Sequence, residues 1–362
     1  TSPRLALVIA AKPPNVAAAT PPTSAASQVG VLGVAWLTTT AAASGWRCAG
    51  RLRGAVVRGV HSTTPLVAPP DAPTGFPMPG WSWTELLRQV QAQSLAVLVD
   101  ANWRDAGLVE ELARQGATLW LEDGLAWPDE RVDSCAALCR AKGGQCLAGH
   151  PLRTRPDVRE VRRAIVDGTL GEPGVLRLHD WRGTPPPEPH ATSPAHSRQD
   201  SGALSAETCG VLDLVLWLLD AVPNLVWATR PAPHAVDDAA PAHASPLQVH
   251  LGFASGAMAL LDRARLPGGQ PDYFSLSVLG TGGGAYADDH HNRQLVLTES
   301  GPRAISTTMG DSARRHLWQQ FVDAARDDLA PRREREARDR LRRVVAAVEA
   351  ALRTGAAVPL SP

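Results

Sequence analysis

Residues 95–121 read LAVLVDANWRDAGLVEELARQGATLWL, and this stretch decides the fold class. Leu95–Val99 and Ala117–Leu121 are short, near-continuous apolar runs, the pattern of strands buried on both faces, and Asp105–Gln115 between them reads as a helix. Working outward, Leu5–Ala10 reads as a buried strand, Val29–Leu37 as a second, and Gly54–Val60 as a short third. Ser82-x-x-Glu85 is a capping-box pattern that opens a helix carrying Leu86, Leu87 and Val90 at helical spacing. Strand–helix alternation of this kind predicts an α/β domain with a Rossmann-like doubly wound parallel sheet, placed at residues 1–125.

Past residue 150 the pattern changes. A helix at Asp157–Asp167 ends at Gly168, a strand follows at Gly174–His179, and Arg182–Ser201 is loop sequence rich in Pro and His. An apolar helix spans Ala203–Leu219. Strands then follow one another without helices, at Val226–Arg230, Leu247–Phe253, Ala257–Arg263, Tyr273–Leu279 and Gln294–Thr298. Consecutive strands predict a C-terminal α+β domain with a large, mostly antiparallel open sheet, placed at residues 126–362. Two helices close the chain. Leu317, Phe321, Val322 and Ala325 line one, and Leu341, Val344, Val345, Val348 and Leu352 line the other.

Composition narrows the function classes. The 362 residues suit two domains. Lys+Arg and Asp+Glu both number 36, a balance that argues against a nucleic-acid binder. Nearly all the positive charge is Arg, which together with abundant Ala and Pro reads as the codon bias of a GC-rich bacterial genome. Five cysteines form no disulfide framework and fit a reducing cytoplasm. The run Leu5–Ala11 lacks a small-residue cleavage site, and Pro, Thr, Ser and Gly interrupt residues 13–45, so neither a signal peptide nor a transmembrane helix is expected.

The order of elements resembles the glucose–fructose oxidoreductase/inositol dehydrogenase (Gfo/Idh/MocA) family across essentially the whole chain. Leu119–Ala126 (LWLEDGLA) stands where that family has Glu-Lys-Pro-Leu-Ala, and Gly168–Pro173 (GTLGEP) resembles its turn into the second domain. Ser201–Asp213 (SGALSAETCGVLD), continuing to Trp217, tracks its GGxLxDxGxHxxD helix. Val278–Gly284 resembles its late Gly-rich turn, and Gly355–Leu360 its terminus. The resemblance implies a dehydrogenase that passes hydride from a sugar, inositol or related polyol to a nicotinamide cofactor. The Lys of Glu-Lys-Pro and an Asp-x-x-x-His pair would handle the proton.

This chain departs from that pattern at each of those positions. The Lys position is Asp123, the Pro position Gly124, the Asp position Ala206 and the His position Gly210. Ala and Gly transfer no proton, and Asp123 places negative charge where a cation would stabilise an alkoxide. Loss of one general acid–base group costs about 10²–10⁴-fold in rate. The dinucleotide fingerprint fails as well. After the strand at Leu5–Ala10 comes Lys12–Pro22, which holds no glycine and several prolines, whereas phosphate binding needs glycines and backbone N–H groups. Where an acidic residue would hold the ribose, at the end of the second strand, stand Trp36, Leu37 and Thr38.

The expectation is therefore a catalytically degenerate relative of these oxidoreductases, with no cofactor, acting as a structural or regulatory subunit. It would form a homo- or hetero-oligomer through its C-terminal sheet, with an active relative as one partner, and hold a small sugar-like ligand. Arg153, Gly210 and Asp213 are its substrate-pocket candidates. The alternative is an NAD(P)-dependent or cofactor-free enzyme with rebuilt chemistry, for which Glu122, Asp123 and His179 are the catalytic candidates. His190 and His196 flank the same loop as His179. Cys135, Cys139 and Cys146 read as buried thiols, Asp288–His291 as a solvated strand connection, and the mixed-charge run Arg332–Arg343 as a solvated helix face. Trp36, Trp103, Trp120 and Trp127 map near strand ends, where indole rings would fill part of a dinucleotide site.

Overall fold

The computed structural model describes residues 31–38, 43–65, 80–101, 103, 105–183, 204–231, 246–266, 272–288, 295–298, 301–304 and 311–361. The expected strand at Leu5–Ala10, the Lys12–Pro22 turn, His190, His196, Asp289, His290 and His291 lie outside the described residues.

The first layer system runs β1 (Leu32–Thr38), α1 (Ala43–Ala49), β2 (Ala55–Ser62), α2 (Trp83–Gln93), β3 (Ala96–Val99), α3 (Ala106–Arg114), β4 (Thr118–Leu121), α4 (Asp129–Ala141) and β5 (Cys146–Ala148). The five strands are all parallel, in the order β2-β1-β3-β4-β5. Residues of both parities are buried along the central strands, because the sheet is covered on both faces. Ala35, Leu37, Val97 and Leu119 pack under the helical face holding Val90, Val109 and Val132, while Val34, Trp36, Leu98 and Trp120 face the other way. The capping expectation holds: the Ser82 hydroxyl accepts from the Glu85 amide at 3.2 Å, and Asp105 caps α3 in the same manner at 3.2 Å.

Two expectations change here. Because β1 sits between β2 and β3, its carboxyl end is the point where the winding reverses, and the turn that would face a dinucleotide is the one after Thr38. The parallel sheet also continues beyond residue 125, since β5 pairs with β4 from Leu119↔Cys146 to Leu121↔Ala148.

The second layer system holds α5 (Pro156–Val166), β6 (Pro173–Gly183), α6 (Ala206–Leu219), β7 (Leu225–Thr229), β8 (Leu247–Gly252), β9 (Met258–Leu266), β10 (Tyr273–Gly280), β11 (Gly283–Asp288), β12 (Leu295–Thr298) and β13 (Gly301–Ala304), and after them α7 (Asp311–Ala324), α8 (Ala330–Thr354) and β14 (Val358–Pro359). Nine strands form one sheet in the order β13-β12-β11-β10-β6-β9-β8-β7-β14. β6 and β9 are parallel, and the other neighbours are antiparallel. One face carries Leu176, Leu178, Val249, Leu261, Phe274 and Leu276 onto α6 and α8, where Leu212, Val215, Val344 and Val348 meet them. Among the described residues no helix covers the opposite face, which is open in that sense. Helix α7 returns to the parallel sheet, with Leu317, Trp318, Phe321 and Val322 closing the face that holds Trp36 and Trp120. No helix among the described residues is long and apolar enough to cross a membrane.

The tryptophans expected at the crevice are mostly core. Trp36 is fully buried in β1, edge-on to Trp318 with ring centroids 5.2 Å apart. This packing determines one glycine: a Cβ on Gly45 of α1 would lie 2.3 Å from the Trp36 ring. Gly45→Ala should therefore lose about 1–3 kcal/mol through overpacking, read as a lower urea midpoint. In a Trp36→Phe background, where those outer ring atoms are gone, the substitution should cost less, and an equal cost would clear the ring of blame.

Candidate active-site cleft

Two buried carboxylates stand directly after parallel strands: Asp100 after β3 and Glu122 after β4. Arg314, in the first turn of α7, bridges them. Its Nε donates to Glu122 Oε1 at 2.9 Å, and one Nη donates to Glu122 Oε2 at 3.0 Å and also to Asp100. The Trp318 indole N–H (3.0 Å) and the Ala101 amide (2.9 Å) supply two more donors to Glu122. Burial pulls Arg314 down, but Glu122 and Asp100 outweigh it and hold the guanidinium above its ordinary value. Both Glu122 oxygens are thus engaged in fastening α7 to the sheet, which suits a positioning residue and not a proton carrier.

Next in the chain, Asp123 leads into the tight turn Gly124–Ala126, which backs onto β5 so closely that a Cβ on Gly124 would be 2.2 Å from the Ala148 Cβ. Asp123 lines a cleft of about 220 Å³ together with His150 from the segment after β5, Asp180 and Arg182 from β6, and Ala206, Glu207, Gly210 and Asp213 from α6. Asp123, Gly210 and Asp213 thus line one cleft. At Gly210 an added Cβ would meet only Leu152, at 3.7 Å, so packing does not require glycine there.

His150 is the residue that sequence reasoning missed. It is buried between two carboxylates, with Nδ1 3.1 Å from Asp213 and Nε2 3.0 Å from Glu334 of α8. Arg153 grips the other side of Asp213, its Nε donating to Oδ2 at 2.8 Å and an Nη to Oδ1. Burial and the Arg153 charge push His150 down, yet Asp213 and Glu334 prevail and raise it to about 9. Burial likewise pushes Asp213 up, but His150 and Arg153 hold it well below the usual carboxylate range. An imidazolium is the stable form at neutral pH. The only cue in the sequence was a His next to Pro151 at the end of a strand, which is too common a pattern to single it out.

His179 is a correction. Burial alternates along β6, with Leu176, Leu178 and Asp180 facing the helices and Arg177, His179 and Trp181 facing the other way. The His179 ring therefore sits on the open face of the sheet, 3.1 Å from Asp262 on β9 and 5.9 Å from the Trp181 ring. It does not reach the cleft. Arg153 stands behind Asp213 and presents its guanidinium to Trp217 at 5.8 Å. Inside the cleft wall, Arg182 pairs with Asp180, and Glu207 bridges Arg263 and Arg265 at 2.8 and 2.6 Å. Cys135 and Cys139 are buried on α4, where burial pushes their thiols up to about 11 and about 12.

The resemblance implies a nicotinamide dinucleotide, and the residues at the positions that would hold one depart from the usual set. From Thr38 to Ser44, the sequence that follows β1, the chain holds no glycine and so no dinucleotide fingerprint. Gly45 answers to the close helix–strand contact of the last fingerprint glycine. The ribose-binding position falls at the end of β2, on His61 and Ser62, and no carboxylate occurs from His61 to Pro65. The His61 ring is already engaged, with Nδ1 2.9 Å from the Trp81 carbonyl and the ring edge-on to Trp83 and Trp103.

The His150 knot makes stability depend on pH. His150 is raised from 6.5 to about 9, so its stabilisation is complete below the lower value and is lost as pH rises through the higher. Asp213 is depressed, so its share is present above its ordinary value of 3.8 and fades only in stronger acid. The melting temperature should fall as pH rises through about 9, and less steeply in His150→Gln. Asp213→Asn, which strands two buried cations, should cost about 3–5 kcal/mol in urea unfolding. Gly210→Ala should stabilise helix α6 by about 0.5–1 kcal/mol, since nothing opposes the methyl.

No protein-family model matches the chain. Inositol 2-dehydrogenase of Rhizobium meliloti (strain 1021) is 26% identical over 162 residues, a match that spans 44% of this chain and 47% of that protein, less than half of either. Among solved structures, GenD2 from gentamicin A biosynthesis, in complex with NAD, superposes with a TM-score of 0.65 at 18% identity over 94% of this chain and 99% of its own. An NAD binding oxidoreductase from Klebsiella pneumoniae gives a TM-score of 0.66 at 16% identity over 91% and 99%. At such identities the structures establish the fold alone. The inositol dehydrogenase match and the shared two-sheet fold agree with the resemblance to the Gfo/Idh/MocA family of oxidoreductases that the motif order carries.

Proposed function

We propose that this protein acts by binding and not by hydride transfer, as a non-catalytic subunit of the oxidoreductase family. One observation carries the reading. The cleft positions that would handle the proton are Asp123, Ala206 and Gly210, and the one imidazole in the cleft wall, His150, is held as a cation between Asp213 and Glu334. A base must be able to give up its proton near neutral pH, and this one is clamped against doing so. The cleft keeps a size for a small ligand, and Asp123, Asp180, Arg182 and Glu207 in its largely apolar wall could orient the hydroxyls of a sugar-like one. No step is assigned to a cofactor.

Support for a partner comes from the open face of the nine-stranded sheet. Trp181, Met258 and Leu279 are 36%, 47% and 41% exposed there, and the Trp181 ring packs on Tyr273 at 5.2 Å. Apolar surface of this kind marks an association site. In this reading the face pairs with a second copy or with an active relative.

Titration with NADH and NADPH, followed by energy transfer from tryptophan to the nicotinamide, tests the first half. No saturable signal is expected up to about millimolar cofactor, and binding at about micromolar concentration would restore the dehydrogenase alternative. Sedimentation of wild type beside Met258→Glu tests the second half. The variant should shift toward monomer with unchanged circular dichroism. A wild type that is monomeric even with its partner candidates present would end the subunit reading.

A further inference from the structure

The Arg-rich start of α8 is not the uniformly solvated face its charge pattern predicts. Arg338 is only 6% exposed. It lines a groove of about 610 Å³ between α4 and α8, at the edge strand β5, together with Arg140, Arg332, Arg335, Gln145 and Asp328. Arg338 leans on Asp133 at 3.0 Å and on Glu334 at 3.3 Å, but its Nη1 is buried and has no hydrogen-bond partner. Gln145 Oε1 is buried in the same state. Buried polar atoms are almost always hydrogen-bonded, so an unmet donor and an unmet acceptor on two residues of one groove wall call for a complement. Arg140 and Arg335 add two cations that form no ion pair among the described residues, against the single unpaired carboxylate Asp328. Arg332 is neutralised by Glu336 at 2.8 Å.

We infer that this groove is a second ligand site, taking a small hydroxylated anion of the sugar-phosphate or sugar-acid class. The phosphate or carboxylate oxygens meet Arg338, Arg140 and Arg335, whose guanidinium forks match such groups. A hydroxyl donates to Gln145 Oε1. The site also reports to the cleft, because Glu334 is shared: one oxygen faces Arg338, and the other accepts from His150 in the cleft wall. An anion that draws Arg338 away leaves Glu334 more fully to His150. The inference does not depend on whether the cleft itself turns over a substrate.

Calorimetric titration of the intact chain with glucose 6-phosphate, inorganic phosphate and glucose tests it. Glucose 6-phosphate should bind saturably with a Kd of about 1 mM or below, inorganic phosphate more weakly, and glucose not at all. Arg140→Gln/Arg335→Gln alters two exposed side chains and should weaken glucose 6-phosphate at least about tenfold. Gln145→Ala should erase the preference over inorganic phosphate. The His150 ring resonances, assigned by comparison with His150→Gln, should move when glucose 6-phosphate is added to wild type and stay put in the double variant. No saturable heat with either anion, or equal heat in the double variant, overturns the site. Binding without movement of His150 overturns the link to the cleft.

Discussion

Asp213 is a carboxylate with almost no access to water, and the region around the cleft is arranged to keep it charged. His150 and Arg153 come to it from the segment that leaves the parallel sheet, and it stands on α6, the central helix of the second sheet's core. Glu334 then anchors His150 from α8. Removing any one member of such a buried set leaves an uncompensated charge, which is why the geometry is rigid even where the net stabilisation is small. The first sheet, α6 and α8 are held in register by a handful of ionic contacts, and the cleft is the space left beside them.

A second knot of the same kind closes the top of the parallel sheet. Asp100 and Glu122 would repel each other without Arg314, and α7 supplies that guanidinium along with the Trp318 indole N–H. The carboxyl ends of β3 and β4, where a dinucleotide fold receives its ligand, are here stitched to a helix from the far end of the chain. This arrangement and the glycine-free turn after β1 act in the same direction. The Asp100 amide donates to the Leu37 carbonyl at 2.8 Å, which ties the knot to the carboxyl end of β1.

Much of the fold was legible. The alternation around residues 95–121, the capping box at Ser82 and the consecutive strands after residue 220 each rest on local patterns that the backbone obeys directly. Other points needed the coordinates. The strand read at Leu5–Ala10 lies outside the described residues, while the pairing of β1 with both β2 and β3 puts the winding reversal at the carboxyl end of β1. His179 was assigned to the cleft because it precedes the Pro-rich loop. In a strand, neighbouring residues point to opposite faces, and it is Asp180 that points inward.

What the sequence by itself determined is the pair of sheets, the motif order that resembles the oxidoreductase family, and the residue types at Asp123, Ala206 and Gly210. These are properties of single positions and short windows, so they survive without coordinates. Only the tertiary structure decided which charges meet. His150 and Glu334 are 184 residues apart, and Arg314 and Glu122 are 192 apart. No local pattern links residues so distant. Their partnership, and with it the buried cation at the cleft and the arginine left short of a partner in the α8 groove, exists only once burial has removed the water that would otherwise have solvated each charge separately.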